Sequence, residues 1–132
     1  MSFIVSQSKG IMSRAIDRYA KQKDVTPEKV QLLLNMKDEG VGYFLMQNFR
    51  IEQELSIMDV LGVKVDFKGY SMIAPPFIRQ ALERMTDQYK VTAADLSVII
   101  TKRPNVKMYA YNAKSIIGEV TFEYLFGEDA LK

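Results

Sequence analysis

Cysteine, histidine and tryptophan are all absent from this 132-residue sequence. Without cysteine there is no disulfide and no thiolate chemistry, a composition that suits a reducing cytoplasm. The absence of histidine excludes more. Its unperturbed pKa alone lies near neutrality, and it is the commonest metal ligand. Zinc sites built on His and Cys are excluded, as are Ser-His and Cys-His triads. Carboxylates, Lys, Ser and Tyr could still support catalysis, but neither a P-loop nor a dinucleotide fingerprint occurs. The expectation is a protein that is not an enzyme and takes no cofactor. Long apolar runs are missing too, since none approaches the roughly 18 to 20 residues of a membrane span. The first residues carry no leader pattern, and the expected location is the cytoplasm, with no membrane partner.

What is present suits a globular chain: 48% of residues are hydrophobic, enough for a core, and 26% are charged, enough for a solvated surface. The strongest pattern is internal. Slid 66 residues along itself, Ile11–Lys37 falls on Phe77–Arg103 without a gap. Ala15, Arg18, Gln22, Val25 and Thr26 meet Ala81, Arg84, Gln88, Val91 and Thr92. After a one-residue slip, Glu54–Gly62 falls on Glu119–Gly127. A repeat of this length points to duplication. A unit of about 66 residues is marginal alone, so the two are expected to share one core. The expected fold is α+β and internally duplicated: two α-α-β-β units, residues 1–66 and 67–132, about a pseudo-two-fold axis.

Each unit opens with a short apolar stretch, Ser2–Val5 or Ser71–Ala74. The first helix follows. Met12, Ala15, Ile16 and Tyr19 have helical spacing over about Ile11–Gln22. Pro75 and Pro76 set the start of the corresponding helix, with Phe77, Ile78, Ala81, Leu82, Met85 and Tyr89 as its buried stripe. Thr26-Pro27 and Thr92 then read as caps of a second helix, with Val25/Val30 and Val91/Leu96 as hydrophobic staples. Residues 96–101 alone read as a strand. Their counterpart Val30–Asn35 is a good helix former, so the repeat argues for helix at both places. A strand at 96–101 would count against duplication. Lys107–Asn112 alternates as a strand, and Phe49–Ile57 does so except at Gln53; residues 49–61 could also form a helix, but the repeat favours the strand. Val63–Phe67 reads as another strand leading into a turn at Lys68-Gly69. Ser56 and Thr121 are expected N-caps of short helical turns that stop at Gly62 and Gly127.

Charge is unevenly spread. Residues 1–23 carry five basic side chains and one acidic, and residues 96–118 carry four basic and none acidic. The second stretch interleaves Lys102, Arg103, Lys107 and Lys114 with Tyr109 and Tyr111. Cations neutralise phosphates and exposed rings stack on bases, so this mixture suits nucleic acid if the tyrosines face solvent. The corresponding turn of the first unit is acidic, Asp38-Glu39-Gly40. Arg14, Arg18 and Lys21 form a basic stripe on the first helix.

Two helices followed by strands resemble a winged helix-turn-helix in element order. The helices that would enter a groove open with Glu28 and Asp95, which face phosphate unfavourably. Ser6 and Lys9 have the spacing of a serine–lysine pair, and Glu52, Glu54 and Asp59 could hold a hard cation; both signals are weak. The sequence therefore favours a non-catalytic regulatory or adaptor protein that binds a protein partner or itself. The runner-up is a nucleic-acid binder using Lys102, Arg103, Lys107, Tyr109, Tyr111 and Lys114 with Arg14, Arg18 and Lys21. A carboxylate-based enzyme comes third.

Overall fold

The computed structural model describes residues 3–38, 40–62, 75–102 and 105–126. In chain order they form helix α1 (Phe3–Lys23), strands β1 (Val30–Lys37), β2 (Gly40–Gln47) and β3 (Arg50–Leu55), and helix α2 (Ile57–Leu61). Helix α3 (Pro75–Tyr89), strands β4 (Leu96–Lys102), β5 (Val106–Asn112) and β6 (Ser115–Val120), and helix α4 (Phe122–Phe126) follow. The class is α+β. The strands make one sheet in the order β3-β2-β1-β4-β5-β6, antiparallel at every pairing.

The expected α-α-β-β order is not found. Both second helices are strands, and each described half runs helix, three strands, helix. Pro27–Lys29 makes a single 3-10 turn, and Thr26 is extended with no side-chain cap bond. Tertiary context explains the outcome. β1 and β4 are the two central strands, and all five residues from Val30 to Leu34 are buried. In a central strand, neighbouring side chains bury even the residues of the face away from the helices, and the resulting apolar run cannot be told by periodicity from a buried helix. The helix preference of Leu32-Leu-Leu34 yields to the ladders on either side.

The first helices behave as their stripes require. Met12, Ala15, Ile16 and Tyr19 of α1, and Ile78, Ala81, Leu82 and Met85 of α3, are buried in one core. That core lies on one face of the sheet, against Leu32, Leu34, Tyr43 and Leu45 of β1 and β2 and Val98, Ile100 and Met108 of β4 and β5. α1 is longer than expected, taking in the apolar Phe3–Val5 stretch. Both helices stop at a left-handed residue, Asp24 (φ 54°) and Lys90 (φ 58°). The next amide reaches back five residues each time, Val25 to the Ala20 carbonyl and Val91 to that of Thr86. That is a Schellman end.

The capped turns occur where expected. Ser56 and Asp59 exchange side-chain-to-backbone bonds in a capping box, and Gly62 stops α2 at φ 80°. The Thr121 hydroxyl accepts from the Tyr124 amide at the head of α4. Arginines of the long helices clasp the short ones. The Arg18 guanidinium donates to the Asp59 and Val60 carbonyls and stacks on Tyr19, with Cζ 5.2 Å from the ring centroid. Arg84 donates to the Tyr124 carbonyl and stacks on the Tyr124 ring at the same distance. A cation at the C-terminal carbonyls of a helix is favourably placed. The expected stretch Ser71–Ala74, the strand and turn over 63–69, and Gly127 lie outside the described residues.

Candidate interaction surface

The helices occupy one face of the sheet, and no described element covers the other. Side chains alternate across a strand, so the residues of this open face follow from the register. One row crosses all six strands through successive pairings: Glu54–Phe44, Phe44–Leu33, Leu33–Ile99, Ile99–Tyr109 and Tyr109–Glu119. Met46 and Ile51 pair beside one end of this row, and Tyr111 and Ile116 beside the other. The apolar positions thus run corner to corner, from Ile51 through Met46, Phe44, Leu33, Ile99, Tyr109 and Tyr111 to Ile116. With strands about 4.8 Å apart and about 3.3 Å per residue, the stripe is roughly 27 Å long.

Its middle is packed and its ends are open. Leu33, Met46 and Ile99 form a second buried cluster flanked by half-buried Phe44 and Tyr111. Ile51 and Ile116 are 58% and 62% exposed. Burial raises the Tyr111 phenol pKa above its ordinary value, and neighbouring Tyr109 adds to the shift. Polar corners lie on either side of the stripe. In one, Lys37 Nζ reaches Glu54 Oε2 at 2.6 Å. The hydrogen bond to Glu54 is the main reason its ammonium pKa is raised. Gly42 keeps that crossing open: a Cβ there would lie 2.5 Å from Asn35 Oδ1 and 3.4 Å from Lys37 Cβ. In the other corner, Lys107 and Glu119 border an open depression of about 250 Å³ with Lys9 and Phe122. The β2–β3 hairpin turns through left-handed Asn48 and Phe49, and Gln31, itself buried, accepts from the Phe49 amide at 2.8 Å.

The structure divides the residues nominated from sequence. Tyr109 and Tyr111 lie on the open face, not in the helix-side core, and Lys107 shares that face with them. Lys102 lies on the helix side and binds both oxygens of Asp17 in α1, at 2.7 and 2.8 Å. It does not join the platform. Lys114 is exposed in the β5–β6 turn, and Arg103 lies outside the described residues. Arg14 and Lys21 are exposed on α1, on the opposite side of the sheet from the tyrosines, and Arg18 is held at α2. The basic stripe and the tyrosine segment are therefore not brought together.

Other expectations are also corrected. The groove-entering helices of a winged helix-turn-helix are strands, because their apolar runs supply the centre of the sheet. The Glu54 carboxylate is taken by Lys37 and that of Asp59 by the Ser56 amide, so Glu52, Glu54 and Asp59 do not make a cation site. Lys9 lies 5.9 Å from the centroid of Phe122, over its ring. Phe44, Met46, Leu33, Ile99, Ile51 and Ile116 were not nominated from sequence.

No family model, no curated protein and no solved structure matches this chain. None of the helices among the described residues is long and apolar enough to cross a membrane.

Proposed function

We propose that this chain is a non-catalytic binding protein whose working surface is the open face of the sheet, and that its partner is a protein. One observation carries the reading: an aromatic and aliphatic stripe crosses a sheet face that no described element covers. A solvated antiparallel face ordinarily shows polar side chains. A contiguous apolar patch rimmed by polar residues is what an interaction surface needs. Aromatic residues and Met at the centre with charges displaced to the rim match the make-up of protein interfaces.

Nucleic acid is the second reading, favoured by Lys107, Tyr109 and Tyr111 on one face. Electrostatics weigh against it. Carboxylates end the central row at both sides, Glu54 beside Phe44 and Glu119 beside Tyr109. Glu54 and Glu119 thus stand beside Lys37 and Lys107 on this face, which weakens the pull on phosphates.

We also propose that the chain is an internal duplication, with residues 1–66 and 67–132 as units that are each helix–strand–strand–strand–helix. Its pseudo-two-fold axis would pass between Leu33 and Ile99, aligned residues that pair across β1 and β4. Support comes from irregularities that recur at the alignment offset. Left-handed Asp24 and Lys90 correspond, as do the Arg18 and Arg84 clasps. Register shifts fall at Leu45/Met46 and at Ala110/Tyr111, positions equated after the one-residue slip. Such local departures from regular geometry are less expected by chance than shared helices. Against duplication stands the strand at 96–101, the outcome expected to count against it, although its counterpart Val30–Asn35 is a strand as well.

The functional reading is tested by comparing binding of the native chain with that of Ile51→Glu/Ile116→Glu and of Arg14→Glu, which alters the helical side. Protein binding should be lost in the first variant and kept in the second. Salt-sensitive binding of single-stranded oligonucleotides, lost on Lys107→Ala with Tyr109→Ala, would favour the second reading instead.

A further inference from the structure

We infer that the notch where β5 outruns β6 binds a small organic anion, a carboxylate on an apolar body, held between Lys9 and Lys107. The site is separate from the open-face reading and does not depend on it. Strand pairing makes the notch. Val120, the last residue of β6, pairs with Met108, and the chain then turns at Thr121 into α4. Val106 and Lys107 of β5 therefore extend past the end of β6, with no described strand beside them on that side. α1 packs against α4 here and brings Lys9 to the gap, leaving an open depression of about 250 Å³. Its floor is apolar, because Val106, Val120 and Phe122 belong to the helix-side core.

Three charged groups border the notch, the ammoniums of Lys9 and Lys107 and the carboxylate of Glu119. Elsewhere Lys37, Arg79 and Lys102 each hold a carboxylate at salt-bridge distance. None of the three groups at the notch is in an ion pair with a described residue. Lys9 lies instead over the Phe122 ring, 5.9 Å from its centroid, a contact that places the charge without neutralising it. Two cations against one anion leave one net positive charge. Neutral donors stand beside it. The Thr121 hydroxyl accepts from the Tyr124 amide and keeps its own proton to donate, and Asn105 brings a side-chain amide at the head of β5. A few polar groups that orient a ligand over an apolar floor are the ordinary make-up of a small-molecule site. The volume limits the occupant. It falls below the roughly 300–1,000 Å³ of drug-sized pockets, so one ring or a short branched chain fills it. Glu119 repels a phosphate dianion more than a singly charged carboxylate, which the net charge matches.

Benzoate titrated into the isotope-labelled chain, followed by amide NMR shifts, tests this. Saturable shifts are expected at Val106, Lys107, Val120, Thr121 and Phe122, with a Kd on the order of 1 mM. Acetate lacks the apolar body and benzyl alcohol lacks the charge, and each should bind roughly tenfold more weakly. Lys9→Ala and Lys107→Ala should each weaken benzoate about threefold to fivefold, and Glu119→Gln should tighten it by about as much. Lys107 is exposed and Lys9 half-buried, so the rest of the spectrum should stay native in these variants. Ile51→Glu, on the far edge strand, should leave benzoate binding unchanged. Phenyl phosphate should bind more weakly than benzoate. No saturable shift by roughly 10 mM benzoate overturns the site. So do shifts that ignore both lysine variants, or shifts spread evenly over the surface cations. Phenyl phosphate binding more tightly than benzoate overturns the carboxylate as the ligand group.

Discussion

Replacing Gly62 with alanine tests the junction between α1 and α2. Two costs are separable there. Gly62 sits at φ 80°, and an L residue in the left-handed region costs roughly 1 kcal/mol. The second cost is contact. A Cβ at this position would lie 2.7 Å from Arg18 Nη1 and 3.1 Å from Cζ, so the guanidinium must move off the Asp59 and Val60 carbonyls. These bonds are charge-assisted but partly solvated, and their loss is worth about 1 kcal/mol. Together the substitution should cost about 2 kcal/mol, which for a chain of this length lowers Tm by roughly 7 °C. Thermal melts of Gly62→Ala in the native and Arg18→Ala backgrounds, at one protein concentration, isolate the terms. The loss should fall to about half when Arg18 is absent, a coupling of about 1 kcal/mol. Equal losses in both backgrounds would refute the contact, and no loss in either would refute the left-handed stop.

Gly118 should respond with the opposite sign. No heavy atom of the described residues lies within 4 Å of a Cβ built there, and its φ is not positive, so Gly118→Ala should raise stability by about 0.4–1 kcal/mol through the unfolded chain; a lowered Tm would contradict this. Tyr43 is buried, and its hydroxyl has no hydrogen-bond partner among the described residues. Burial raises its phenol pKa in the folded state. A raised folded value means the contribution is whole below the unfolded pKa of about 10 and is lost as pH climbs beyond it. Tyr43→Phe should leave Tm unchanged or higher at neutral pH and flatten its alkaline decline. A clear loss at neutral pH would show that the hydroxyl is bonded.

The helical stripes of α1 and α3, the Ser56 N-cap and the Gly62 stop were all legible, because each depends on neighbours in sequence. The central strands were not. Val30–Leu34, apolar except at Gln31, suits either a helix or a central strand, and only the ladders to β2 and β4 decide. Pairing it with residues 96–101 carried the helix preference of three leucines onto a β-branched segment, where the reverse transfer matches the fold. Alternation did place Tyr109 and Tyr111 on one face, but which face required the helices. Lys102 and Lys107 belong to successive strands, and no sequence spacing assigns them to opposite sides; Asp17 of α1, 85 positions away, claims the first. β2 had no counterpart among the expected elements. It buries Tyr43 and Leu45 on one side and Met46 on the other, so its half of the interaction stripe carried no alternating signal.

The claim that the open sheet face is the working surface is tested most directly by a photo-cross-linking side chain placed in turn at position 116 and at position 14. The first stands at the exposed end of the apolar stripe and the second on the helical side. The cross-link to the bound partner should form at 116 and not at 14. A partner captured from position 14 and not from 116 would contradict it.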